Sequence, residues 1–229
     1  MVRELERTGA FERPVLALLG TTGTGWVDEL NVRSIEYLTD GNCATAAMQY
    51  SFLPSPVAFV TDRDLPERAG RALVNAVERA LGARPEATRP KLYLGGESLG
   101  SFGMQAAFAD SADMLVRVDG AVWVGTPGAT TVWEEVTAVR HGGSPQIAPV
   151  VDNGRHIRFA TTAADLTRDR YGRDLGPWSA PRWFTCYIPP IRSCGGSLRL
   201  LSRSRTGSAS VPGRMSTRLC GGGPWSPSG

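Results

Sequence analysis

Lys91-Leu92-Tyr93-Leu94-Gly95-Gly96-Glu97-Ser98-Leu99-Gly100 is the stretch that sets the fold class. Its first five residues form an apolar run of strand length, and a small-residue helix is predicted from about Leu99 to Phe108. Between them lies G-x-S-x-G. Three fixed residues in five recur by chance, but a strand before and a helix after are the context that a nucleophile elbow needs. Gly96, Glu97 and Gly100 are the expected elbow residues around Ser98. Such a turn is tight, and its glycines remove side chains that would clash. It lifts the Ser98 hydroxyl to the carboxyl ends of the strands, where open sheets of this class bind ligands. The Leu99 N–H, at the start of the helix, is the expected first oxyanion donor.

On the amino-terminal side, Leu5 to Phe11 reads as the end of a helix and Pro14 to Leu19 as a buried strand. The loop Gly20-Thr21-Thr22-Gly23-Thr24-Gly25 follows. It is the expected source of a second oxyanion donor, around Thr22 and Gly23. A phosphate loop is the rival reading of those glycines. It fails because no G-x-x-x-x-G-K-[ST] or G-x-G-x-x-G pattern is met, and Trp26 stands where the lysine belongs. Further segments are a helix from Asp28 to Leu38, a buried strand from Cys43 to Tyr50, a loop at Pro54-Ser55-Pro56 and a helix from Leu65 to Leu81. Beyond the elbow come a strand at Gly120–Val124, a short helix at Thr131–Val139 and a strand at Ile157–Ala160. Strands spaced by helices imply an α/β fold, a mostly parallel sheet with helices on both faces.

The charge is divided unevenly. Residues 1–174 carry 18 Lys+Arg against 22 Asp+Glu, whereas residues 175–229 carry 7 Arg and no acid. Past about Arg182 neither strand nor helix pattern persists, and Ser, Gly and Arg dominate. The expected organisation is therefore a catalytic domain over 1–182 and a disordered tail over 183–229. The basic tail lacks interleaved aromatics and any nucleic-acid motif, so no nucleic-acid partner is expected. Cys186, Cys194 and Cys220 fall in the tail and Cys43 on a strand. No C-x-x-C spacing occurs and no metal site is expected. No apolar run is long enough to span a bilayer, and the charged start is unlike a signal peptide. The chain expressed alone is expected in the cytoplasm.

Several stretches in order resemble one known group: Glu6-Arg7-Thr8-Gly9-Ala10-Phe11, Gly23-Thr24-Gly25-Trp26-Val27-Asp28, Ala47 through Ser55, Leu92 through Gly100, and Gly125-Thr126-Pro127. Over roughly residues 4–182 the sequence resembles the catalytic domain of bacterial α/β-hydrolases whose full-length members carry several amino-terminal transmembrane helices. The resemblance implies an esterase-like or lipase-like domain held at a membrane, an acyl or ester substrate (a small molecule or a lipid), and no cofactor. It also implies an incomplete α/β-hydrolase fold, because the membrane helices and first strands are missing before Met1 and the carboxyl-terminal portion does not match.

A serine nucleophile needs a base and an acid, which in this fold follow it in the order acid, then His. Only His141 and His156 follow Ser98, both before the last recognisable strand ends, and no His follows Asp165. Reading the tail's codons one frame over permits V-Y-L-L-H-P-S-D-P-V-V-W-W from Trp183 through Gly196 and W-W-P-L-V-T-F-W from Cys220 through Ser228. Both are similar to what the family carries there. The expectation is a frameshift near Arg182, with the shifted D-P as the lost acid and the family's His further on. The chain is thus expected to be a nearly inactive serine hydrolase. The other readings are a non-enzymatic truncated fragment whose fifth strand has lost its neighbours, and an acyltransferase on the same elbow.

Overall fold

A computed structural model describes residues 1–186. Six strands form one parallel sheet in the order β2-β1-β3-β4-β6-β5, with helices around it. In chain order the elements are α1 (Val2–Arg7), β1 (Val15–Gly20), α2 (Glu29–Leu38), β2 (Cys43–Ala47), α3 (Ser55–Thr61), α4 (Leu65–Gly82) and β3 (Lys91–Glu97). Then come α5 (Leu99–Gln105), α6 (Ser111–Arg117), β4 (Gly120–Val124), α7 (Thr131–Ala138), β5 (Ile157–Ala160) and β6 (Arg182–Cys186).

Side chains alternate across each strand. Leu16, Leu18, Leu92, Leu94, Ala121, Trp123 and Trp183 join one buried cluster with Val74 and Val77 of α4, Met104 of α5, and Val132 and Val136 of α7. Of the four-residue stripe Ala69, Leu73, Val77 and Leu81, the last three enter that cluster and Ala69 stays half-buried outside it. Trp133 of α7 meets Phe159 of β5 edge-on, with centroids 5.3 Å apart. On α6, Arg117 reaches back to α4, bonding Glu78 at 2.6 and 2.9 Å.

Main chain meets main chain where α5 packs. A Cβ on Gly70 of α4 would sit 2.9 Å from the Met104 nitrogen and closer still to the Gly103 carbonyl. A Cβ on Gly100 would overlap the Gly20 carbonyl, 2.7 Å from its carbon. Only residues without side chains permit so close an approach.

Several local expectations change. The helix over Leu5–Phe11 is instead α1 ending at Arg7 and a separate 3-10 turn at Ala10–Glu12, because Gly9 takes φ +68° between them. Pro54-Ser55-Pro56 opens α3 instead of forming a loop: Pro54 is the N-cap residue, and a proline in the first turn forfeits no helical hydrogen bond. α6 was not expected; Asp110 caps it by accepting from the Asp113 N–H at 2.7 Å. β2 stops at Ala47 and is a half-exposed edge strand, not a buried one. On α2, Leu30, Tyr37 and Leu38 lie exposed and no residue is buried.

Trp183 through Cys186, placed by sequence in a patternless tail, complete β6, which inserts between β4 and β5. β5 therefore has a neighbour on one side and is open only on the other. Trp, Phe and Thr favour strands, but the seven residues between Pro181 and Pro189 give too short a run to reveal an alternation. The remainder of the expected disordered tail, residues 187–229, lies outside the described residues.

Candidate active site

β3 ends at Glu97 and α5 begins at Leu99, which leaves Ser98 alone in the turn. Its backbone sits at φ +51°, ψ −118°, a region that residues with a Cβ seldom occupy. Ser98 is exposed, whereas Gly96, Leu99 and Gly100 around it are buried. The turn therefore raises one hydroxyl out of an otherwise closed surface at the carboxyl end of a central strand.

The Ser98 main chain is fully used. Its N–H donates to the Val124 carbonyl at 2.9 Å, which ties the turn to the end of β4. Its carbonyl accepts from the Phe102 N–H at 3.0 Å and from the Ser101 hydroxyl at 2.7 Å. Leu99 is the first residue of α5, so its N–H has no partner within the helix and stays at the turn. Glu97 is half-buried at the strand end, opposite Val124 in register.

The loop after β1 lies against the elbow through the Gly20–Gly100 approach. Its expected donors are both engaged. The Thr22 N–H donates to the Trp26 carbonyl at 3.0 Å, and the Gly23 N–H to the Ser55 hydroxyl at 3.2 Å. The Gly23 carbonyl accepts from the Ser51 N–H at 3.1 Å. Segment 49–55 thus clamps this loop, a relation that sequence reasoning missed although both stretches had been singled out.

A further link missed from sequence joins Gln105 of α5 to the loop after β4, its Nε2 donating to Thr126 Oγ1 at 3.2 Å. Beneath the elbow a void of about 20 Å³ is lined by Tyr50, Thr21, Leu99 and Gly100. The Tyr50 hydroxyl is buried there without a partner among the described residues, and burial pushes its pKa above the ordinary tyrosine value.

Neither histidine approaches Ser98. His156 immediately precedes β5, so it lies at the amino-terminal edge of a parallel sheet whose opposite edge carries the elbow. Its Nδ1 lies 3.1 Å from the Ser179 carbonyl and 3.0 Å from that of Pro181. His141 follows α7 on the return to the same amino-terminal edge and is exposed. Asp165 does follow the carboxyl end of β5, three strands from β3. Its carboxylate is spent locally, accepting from the N–H groups of Thr161 and Thr162, both at 2.9 Å, and from the Thr161 hydroxyl at 3.0 Å. The Thr161 N–H leads in holding its pKa below the usual aspartate value.

Among the described residues, five buried side-chain polar atoms lack a partner. Three gather where β6 meets β4: Trp123 Nε1, Trp183 Nε1 and Thr185 Oγ1, with Trp123 and Thr185 opposite each other in register.

No curated protein and no solved structure matches the chain. Residues 1–189 match the alpha/beta-hydrolase family. The chain belongs to that family.

Proposed function

We propose that this alpha/beta-hydrolase family member carries the nucleophile half of a serine hydrolase acting on acyl or ester bonds, and that as it stands it turns over very slowly. The observation that carries the reading is the exposed Ser98 at φ +51° at the head of α5. Ser98 Oγ would attack the substrate carbonyl carbon, expelling the alcohol and leaving an acyl-serine for water to cleave. The oxyanion formed on the way would sit at the Leu99 N–H. The Thr22–Gly23 loop supplies the second donor, provided that it releases Trp26 O or Ser55 Oγ when substrate enters. Slow turnover follows from the missing base. The serine proton has no histidine to accept it among the described residues, and a triad reduced to its serine retains only what binding and the oxyanion site give. Labelling with a fluorophosphonate tests both parts. Slow modification confined to Ser98 is the expected result; rapid labelling would overturn the inactivity, and labelling that persists in Ser98→Ala would overturn the nucleophile. Acyl transfer to an acceptor other than water would use the same elbow.

The frame change near Arg182 belongs to the same proposal. Trp183 Nε1 and Thr185 Oγ1, buried without a partner among the described residues, fit a strand whose sequence was not selected for its place. The shifted frame puts V-Y-L-L at the start of this stretch, and it returns an acid and a histidine to the segment after β6. β6 ends at the same edge of the sheet as Ser98, because it runs parallel to β3 and β4. Sequencing codons 178–190 decides the matter: an extra or missing base against an intact relative is expected, and an uninterrupted frame shared by both would refute it. Attachment of full-length relatives to a membrane is likewise a proposal from the resemblance. In this chain no described helix is long and apolar enough to cross one.

A further inference from the structure

A second cavity, of about 340 Å³, runs along the open edge of β5, far from the elbow. Its size lies in the range of small-ligand pockets. All four residues of β5 line it, with Ile147, Val150 and Leu175 among its apolar walls. The Trp183 N–H bonds the His156 carbonyl, so the alternate groups of Ile157 and Phe159 face outward, where the last strand of the sheet has no ladder partner among the described residues. Two main-chain N–H groups, each beside its own carbonyl, therefore line this edge.

The charges around it are unequally spent. Asp165 is bonded by the neutral groups of Thr161 and Thr162 and keeps its charge, whereas Asp169 pairs with Arg173 and accepts from the Tyr171 N–H, so two arginines stand against one carboxylate. Arg168 pairs with Asp174. Two arginines remain. Arg158, only 5% exposed, donates among the described residues to the carbonyls of Gly154, Leu166 and Gly176, and its guanidinium lies over the Trp178 ring. These bonds leave two of its five N–H groups over and pair it with no carboxylate. Arg170, exposed on the rim, makes no ion pair among the described residues. Unspent donors and positive charge over apolar walls call for an anionic head on an apolar body. We infer that this cavity binds a carboxylate carrying an aliphatic chain, its head held by Arg170, the β5 edge and Arg158, and its chain by Ile147, Val150 and Leu175. The site uses no residue beyond 175 and does not depend on the assignment of Ser98.

Isothermal titration of the full chain with octanoate and with 1-octanol tests the inference. Saturable octanoate binding is expected, with 1-octanol at least about tenfold weaker, since a charge-assisted hydrogen bond is worth about that much. Arg170→Gln, a change on the exposed rim, is expected to weaken octanoate about tenfold and leave 1-octanol unchanged. Ala148→Phe, which fills the cavity from its wall, is expected to abolish both, and Ser98→Ala to change neither. No octanoate binding at millimolar concentration, equal affinity for the two probes, or an unaltered octanoate affinity in Arg170→Gln would each overturn it.

Discussion

The junction of β1, β3 and α5 and the seam between β4 and β6 are built from the same kind of parallel pairing, yet they close differently. At the junction Gly20 faces Gly100 and Gly70 faces Gly103 with no side chain between them, and the Ser98 main chain is wholly bonded. At the seam Trp123, Trp183 and Thr185 bury polar atoms that bond to nothing among the described residues. Both regions are buried, and the junction too leaves the Tyr50 hydroxyl and Gln105 Oε1 without a partner among the described residues; the difference is one of degree, since the seam gathers three such atoms between one pair of strands. Both regions fall within residues 1–189, which match the family.

Substitutions can break or sharpen this contrast. The largest effect is expected on the matched side. Gly70→Ala should lower unfolding free energy by about 3 kcal/mol, read from denaturant melts, because the new methyl has only backbone to displace. Ser98→Gly should raise stability by about 1.5 kcal/mol by relieving the positive φ, while Ser98→Ala leaves that strain in place. Both variants should lose fluorophosphonate labelling. On the mismatched side Thr185→Val should stabilise by about 1 kcal/mol, a rise in melting temperature of about 2–4 °C, since it removes an unpaired hydroxyl at nearly constant shape. A loss of stability there would mean that the hydroxyl has a partner and would erase the contrast.

The smallest effect concerns the turn beyond β5. Asp165→Ala should cost about 0.5 kcal/mol at pH 7 through loss of its capping role. Asp165 has its pKa lowered by folding, so its contribution is complete above the unfolded value of about 3.9 and fades as pH falls through the lower folded one. The gap between wild type and variant should therefore close in acid, as melts across pH 2–7 would record.

The parts of the fold that sequence made legible are those with a long or repeated signal. The stripe from Ala69 to Leu81 named α4, and the apolar runs at Val15 and Lys91 named β1 and β3. Ser98 was legible because a strand, a fixed motif and a helix adjoin within a dozen residues. What escaped was short or depended on distant partners. Pro54 and Pro56 read as breakers because a first-turn proline and a loop proline look alike in one dimension. β6 offered five residues and no pattern. The engagement of Thr22 and Gly23 by Trp26 and Ser55 could not be read from spacing, because the Gly23 bond joins positions 32 apart in the chain. The β5 cavity was equally hidden: its arginines stand out only once the neighbouring acids are seen to be occupied.

The glycine contacts at α5 carry a consequence for what survives damage. Because backbone rather than side-chain volume sets the spacing between α4, α5 and the end of β1, Ser98 is held by a glycine wedge that ends before residue 105 and by one bond to the Val124 carbonyl. On the proposed reading of Ser98, a base and acid supplied from elsewhere would meet a hydroxyl already in position.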